Sequence, residues 1–439
     1  MANEAELILE EAQRRFGQAE VFEEEGETRS AEYEDNRLKR ASARQFRGVG
    51  LRVIHEGRIG FASTTDLRDP GRLVRMAAES AQFGEKAVFE LPGQPAALGD
   101  TPLDDQAVRD LTHERMVEMG REALEKSLAA RAEYQFGASV GTRTASVCIL
   151  NTSGLDVGCA KTDMAGSVSL QEVSDSGLLW TYEHKEWGQP FDSLIDITEV
   201  ALDKMRQAAT IAPVRAETLP VIFTPKAVGN LLDPIMIALN GKLVHKGSSR
   251  LADRRGKKIL DERITVTDDP TIPFAPASTP TDGEGLPARR TGLIERGVLK
   301  TYLLDLQTAG LLGMDPNANG HRSYASLPRP SSTNTVVEPG GDSYEDMVAG
   351  LERGLIVDQT LGAGQSNVLA GEFSVNVHLG FLVEEGKVRG RVKDCMVAGN
   401  VYDLLSNIEA IARERQWMGS DHLPAICVSS IKLAAQGGE

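Results

Sequence analysis

Two hydrophobic periods alternate along this chain. Residues 4–16 set Leu7, Ile8, Leu9, Ala12 and Phe16 at three- and four-residue steps, which predicts a helix with one apolar face. Period two follows: 19–24, 28–33 and 45–55 read as strands, and Glu56-Gly57 ahead of 58–63 reads as a hairpin turn. Helical spacing returns over 70–83 (Leu73, Val74, Met76, Ala77) and 112–131 (Met116, Val117, Met119, Ala123, Leu124), with a Pro- and Gly-rich loop at 91–105 between them. Strands at 136–140, 145–151 and 167–173 and a helix at 196–208 lead to a break over 211–218.

A second unit opens with a strand at 219–223 and a helix over 227–239. Basic text covers 242–258, and 268–287 is a Pro-, Gly-, Asp- and Thr-rich excursion longer than an ordinary turn. Next come a hairpin at 292–304 with Arg296-Gly297 at its tip, turn-rich text at 313–326 and 328–334, and a helix at 343–353. Strands at 355–357, 371–383 and 388–397, a helix at 402–413 and a strand at 425–433 close the chain. Short turns between strands, with helices in separate blocks, predict an α+β fold rather than a doubly wound one. The expected organisation is two domains, each a mainly antiparallel sheet flanked by helices: an N-terminal α+β domain at 1–215 and a C-terminal β-rich domain at 216–439.

Composition narrows this picture. With 439 residues, 41% hydrophobic and 26% charged, the chain can build full cores, and disorder, a collagen-like fibre or a membrane bundle is set aside. Lys plus Arg total 48 against 64 for Asp plus Glu, a net charge of −16, and aromatics are only 5%. Both argue against nucleic acid as a partner, which needs cations for phosphates and rings for bases. No membrane span or signal-like start is evident, so a cytoplasmic protein is expected. Cys148, Cys159, Cys395 and Cys427 stand singly, the pattern of apolar thiols in strands.

Single motifs carry little chemistry. His113-Glu114 begins like a helical zinc motif, but Val117 stands where the second histidine belongs, which leaves the solvated face of an amphipathic helix. His184 lies in the polar segment 182–187, expected to face solvent, and His378 in strand-like text. A set distant in sequence, such as His378, His422 and Cys427, is an alternative route to a metal site if the fold brings it together. There is no Walker-type P-loop. The densest polar and glycine clusters are Asp282-Gly283-Glu284-Gly285, Gly320-His321-Arg322-Ser323-Tyr324 and Pro328-Arg329-Pro330-Ser331-Ser332-Thr333-Asn334. Such clusters suit gripping an extended peptide, bracing a domain interface, or plain turn-making.

In this order, together with Gly48-Val49-Gly50-Leu51-Arg52, Gly371-Glu372-Phe373-Ser374 and Ala398-Gly399-Asn400-Val401-Tyr402-Asp403, these clusters resemble the TldD/PmbA (TldD/TldE) family across nearly the whole chain. The resemblance implies a cytosolic two-domain protein in which a TldD subunit pairs with a PmbA/TldE subunit as a zinc peptidase acting on unfolded or flexible peptides. The TldD subunit carries HExxxH near the start of its C-terminal domain, plus a distant Cys ligand. At the matching place this chain reads Pro225-Lys226-Ala227-Val228-Gly229-Asn230, and Cys427 lacks a glycine-rich setting. The resemblance is therefore to the non-metal PmbA/TldE subunit, with no catalytic residue, metal or cofactor in this chain and zinc in a TldD-type partner. The expected partners are that protein, as a heterodimer or larger, or a second copy of this chain, together with an extended peptide. Asp282, Glu284, His321, Arg322, Tyr324 and Asn334 are the candidates for lining or bracing the peptide channel. Two alternatives stand beside this: a self-sufficient peptidase with a non-motif metal site, and a non-catalytic homodimer that binds peptides or proteins.

Overall fold

The computed structural model describes residues 4–174, 177–362 and 367–435. A first sheet holds β1 (Gln18–Glu34), β2 (Arg37–His55), β3 (Arg58–Thr64), β4 (Gln135–Asn151), β5 (Asp156–Ser174) and β6 (Gly177–Trp187) in the order β3-β2-β1-β4-β5-β6, with every neighbouring pair antiparallel. Helices α1 (Glu4–Gln13), α2 (Pro70–Ala81), α3 (Gln106–Arg109), α4 (His113–Ala130) and α5 (Ile195–Ala208) accompany it. Two pairs of expected strands, 19–24 with 28–33 and 136–140 with 145–151, are each one long strand, because Gly26 and Gly141 stay in the ladder and do not turn. Strand β6 has no counterpart among the expected strands: its polar text at 182–187 pairs with 164–169 of β5, with Tyr182 exposed, Glu183 buried and 184–187 half-buried. The Glu56-Gly57 turn is as expected: both residues have positive φ, 52° and 73°, which a two-residue hairpin of this hand requires.

The second half contains β7 (Glu217–Phe223), α6 (Pro225–Ala238), α7 (Gly241–His245), β8 (Val266–Asp268), β9 (Thr291–Glu295), β10 (Val298–Leu299), α8 (Leu306–Leu312), β11 (Gly320–His321), β12 (Arg329–Pro330), β13 (Thr335–Val337), α9 (Tyr344–Ala349), β14 (Arg353–Leu361), β15 (Glu372–Glu384), β16 (Lys387–Arg391), β17 (Cys395–Asn400), α10 (Val401–Leu404), β18 (Ile408–Met418) and β19 (Asp421–Ala435). Strands β7, β14, β15, β17 and β19 form a closed ring, because β19 pairs with both β17 and β7. The helix expected at 402–413 is a correction: only α10 is helical, and 408–418 is strand β18. Its Ile408 and Ile411 are buried against Val428 and Ile426 of β19, and that pairing outweighs the helix propensity of the local Ala, Glu and Arg residues. The architecture is the expected α+β.

Strand alternation divides the ring strands between two cores. Val221, Phe223, Leu355, Val357, Ile426 and Val428 point inward with Leu231 and Ile235 of α6. Ile222, Ile356 and Cys427 point the other way and pack with Met116 and Met119 of α4 and Leu202 and Met205 of α5, so one apolar core is shared by both halves.

On the first sheet the same alternation sends Val21, Leu51 and Val53 to α1 and α2, and leaves Glu20, Phe22, Gly50 and Arg52 on the opposite side of their strands. There the chain of the second half comes close: a Cβ on Gly50 would lie 2.4 Å from the Tyr324 carbonyl oxygen. On α6, a Cβ on Gly229 would meet nothing within 4 Å. Gly50→Ala is accordingly expected to cost about 1–3 kcal/mol in urea unfolding through forced separation of the halves. Gly229→Ala should gain up to about 1 kcal/mol by stiffening the helix.

Candidate functional site

Two polar centres join the halves. The first is built on the Glu20 and Arg52 pair, directly opposite each other on β1 and β2. Arg52 donates to Glu20 at 2.9 Å and to Glu284 at 2.6 Å, while Arg322 donates to the other oxygen of Glu20. All four side chains are buried. Glu284 also accepts from the Leu306 N–H at 2.7 Å, and the two guanidinium groups lie over Phe89 and Phe22, each 4.9 Å from the ring centre. Burial opposes charge on Arg52, but Glu20 and Glu284 outweigh it and hold the group above its ordinary value. Burial, with Arg52 nearby, lowers Arg322 to about 10.

The loop 282–286 is folded around Asp282, which accepts from the N–H groups of Glu284, Leu286 and Gly320 at 2.9–3.0 Å. Burial and the Glu284 carboxylate raise Asp282, against those three donors. The other candidates lie around this centre in different roles. Tyr324 packs beside Phe22, Ile149 and Leu155. His321 is half-buried in the β11–β12 pair with its Nε2 buried and unpartnered, and desolvation, with Arg329 beside it, lowers it to about 4. Asn334 does not reach the centre: it pins the long excursion, accepting from Ala277 N–H at 2.9 Å and donating to Asp269 O and Ser278 Oγ at 2.8 and 2.9 Å. Asp282, Glu284 and Arg322 are thus brought together as a brace between the halves.

The second centre lies at the start of α6, which Thr224 and Pro225 open. Lys226 Nζ donates to Glu183 of β6 at 2.9 Å and to the Tyr182 carbonyl at 2.5 Å, and stands 4.4 Å from the Tyr182 ring centre. Lys204 of α5 shares the same Glu183 oxygen at 2.7 Å and reaches both oxygens of Asp358 at 2.9 Å. Asp358 is left out of the β14–β15 ladder where the register shifts between Val357 and Gln359, and it also accepts from Thr224 at 3.0 Å. Burial and Lys204 hold Lys226 below its ordinary value, against Asp358 and Glu183. Asn230 donates to Thr360 at 2.8 Å. Sequence reasoning missed Glu183, Lys204 and Asp358, which come from three separate elements; the one local signal is an acid amid the apolar text of β14. A cavity of about 850 Å³ opens beside them, floored by Leu202, Val348, Ile356 and Phe381.

The distant histidines are engaged separately. His378 Nε2 lies 3.0 Å from the Trp180 carbonyl, His422 stacks on Trp417 with ring centres 4.5 Å apart, and Cys427 sits in the shared core beside Glu409. Half-buried His184 accepts from Gly419 N–H at 3.2 Å. All four cysteines are free. Among the described residues no three His, Cys, Asp or Glu side chains group to hold a metal, and no helix is long and apolar enough to cross a membrane.

A sequence model of the PmbA/TldA metallopeptidase C-terminal domain matches residues 216–435, and one of PmbA/TldA metallopeptidase domain 1 matches 19–81. The chain belongs to the PmbA/TldD family. It is 28% identical to the metalloprotease PmbA of Escherichia coli O157:H7 over 408 residues, covering 88% of this chain and 86% of that one. It is 26% identical to a metalloprotease of Methanothermobacter thermautotrophicus, covering 93% and 90%. The crystal structure of TldE from Thermococcus kodakarensis superposes with a TM-score of 0.91 at 25% identity, covering 99% of this chain and 100% of that one.

By family the chain is of the PmbA/TldD metalloprotease type, and that activity implies a metal. The side chains at the start of α6 do not fit one: Pro225 has no donor, Lys226 is a cation already bound to Glu183, and Asn230 is tied to Thr360.

Two outcomes follow for a PmbA/TldD chain braced in this way. Arg52→Met, which leaves Glu20 and Glu284 buried without it, is expected to lose about 3–5 kcal/mol in urea unfolding, and Arg52→Met/Glu284→Gln to recover part of that. His321 titrates at about 4 in the fold against about 6.5 unfolded. Its contribution is therefore complete above pH 6.5 and is lost as pH falls towards 4, by up to about 3 kcal/mol. His321→Gln should reduce the slope of stability against pH in that window by about one proton.

Proposed function

We propose that this chain is the PmbA/TldE-type, non-catalytic subunit of a two-chain zinc metallopeptidase of the cytoplasm. A TldD-type partner carries the HExxxH motif and the zinc, and this chain completes the enclosure in which an unfolded or flexible peptide is held in extended form. Main-chain pairing would let such a site accept many sequences. The observation that carries the reading is Lys226: where a metal-bearing chain needs a carboxylate to polarise water, this one has an ammonium locked to Glu183 and the Tyr182 carbonyl. The brace of Glu20, Arg52, Glu284 and Arg322 supports a scaffolding role, since it fixes one arrangement of the two halves. Four free cysteines accord with a reducing compartment.

The experiment is co-expression with an HExxxH-bearing TldD-type chain, followed by zinc analysis and cleavage of an unfolded casein by each chain alone and by the pair. Co-purification is expected, with zinc and cleavage tracking the TldD-type chain and full activity only in the pair. Stoichiometric zinc and full cleavage by this chain alone would overturn the proposal in favour of a self-sufficient peptidase. A stable homodimer that ignores the TldD-type chain would overturn it in favour of a binding module.

A further inference from the structure

On a protein of net charge −16, residues 242–258 carry seven lysines and arginines and a single carboxylate, Asp253. Surface cations of such a protein usually find carboxylates. Among the described residues only Lys242 of this run does, reaching Glu85 at 3.8 Å. The fold gives the unpaired cations a shape. After α7 the chain turns back against α10, and Arg250, Arg254 and Lys258 line a cavity of about 460 Å³ with Tyr402, Asp403 and Ser406. Its walls are completed by Leu251, Ile259 and Leu260, all buried.

Part of this cavity is preorganised. The Arg250 guanidinium is held over the Tyr402 ring, 4.6 Å from its centre, and donates to the Ala370 carbonyl at 2.7 Å. Gly371 packs so closely that an added Cβ would lie 2.7 Å from the Tyr402 ring. The Tyr402 hydroxyl is buried with no hydrogen-bond partner, a state that costs a folded protein about 1–3 kcal/mol unless something supplies the missing bond. Asp403 is the one carboxylate in the lining, against three cations. A concave site with an apolar wall, cations lacking carboxylate partners and a spare hydroxyl donor is complementary to an anionic head on a small apolar body.

We infer that the cavity between residues 250–260 and α10 is an oxyanion-binding site, taking the carboxylate or phosphate of a small ligand between Arg250, Arg254 and Lys258. This site goes beyond the peptidase reading and does not depend on it. None of its lining residues belongs to either of the two polar centres, and it can be measured on the chain alone.

The test is isothermal titration of the full-length chain with inorganic phosphate and with succinate, in buffer of matched ionic strength. Saturable one-to-one binding of at least one probe is expected, weakened about tenfold or more in Arg254→Gln/Lys258→Gln. Both substituted residues are exposed, so the melting temperature without ligand should not change. Tyr402→Phe should weaken binding while leaving the unliganded protein no less stable, because the hydroxyl it removes has no partner. Binding of phosphate alone would assign a phosphate ester, and binding of succinate alone a carboxylate. No saturable binding of either probe at millimolar concentration would overturn the inference, as would equal binding by wild type and Arg254→Gln/Lys258→Gln.

Discussion

The placing of two arginines inside the protein, each answered by a glutamate, is the constraint on which the joint between the halves depends. Arg52 and Arg322 are buried with Glu20 and Glu284, two charges of each sign, drawn from β1 and β2 on one side and from the 282–286 and 320–324 segments on the other. A buried ion quartet is a poor source of net stability, because desolvating four ions consumes most of the attraction. Its effect is to penalise alternatives: any displacement that parts one guanidinium from its carboxylate leaves an uncompensated charge in an apolar setting. The apolar core shared by α4, α5, Ile222, Ile356 and Cys427 supplies attraction without direction, and the quartet supplies the register.

The second centre repeats this logic with lysines. Glu183 belongs to the first sheet, Lys204 to the helix packed on it, and Asp358 and Lys226 to the second half. Two ammonium groups share two carboxylates, so the charges balance, and the start of α6 is tied to β6 through Lys226. In a metal-bearing arrangement the ion would be the local positive charge. Here the polypeptide provides it from within, through Lys204 and Lys226. Asp358 reaches this point only because β14 slips register beside it.

Much of this was legible in the sequence, and its failures have physical causes. Period-two and period-3.6 text placed most strands and helices, and Glu56-Gly57 and Arg296-Gly297 turn as their residue types require, with φ of 52° and 73° in the first and 48° and 73° in the second. Residues 408–418 misled because Ile-Glu-Ala-Ile-Ala-Arg-Glu-Arg has good local helix propensity, and only its distant partner β19 makes it a strand. Strand β6 was missed because its outward positions hold the rings of Trp180, Tyr182 and His184, which blur the alternation expected of an edge. The candidate cluster was legible as chemistry but not as geometry. Asp282, Glu284 and Arg322 do converge, yet the partners that define their role, Glu20 and Arg52, lie more than 200 residues away.

Arg52 nevertheless left a trace in Gly48-Val49-Gly50-Leu51-Arg52. Val49 and Leu51 face one core, so Gly48, Gly50 and Arg52 must share the other side of β2. Two glycines followed by an arginine on one strand face describe a shallow seat with a cation at its end. A strand exposed on that face would gain nothing from lacking side chains there, and glycine weakens a strand interior. The glycines are explained only when another segment approaches, and Tyr324 does so against both, with its ring over Gly48 and its backbone carbonyl against Gly50. That approach sets Arg322, two residues away, beside Glu20, so the pattern of small residues on β2 and the ion quartet are two aspects of one docking geometry.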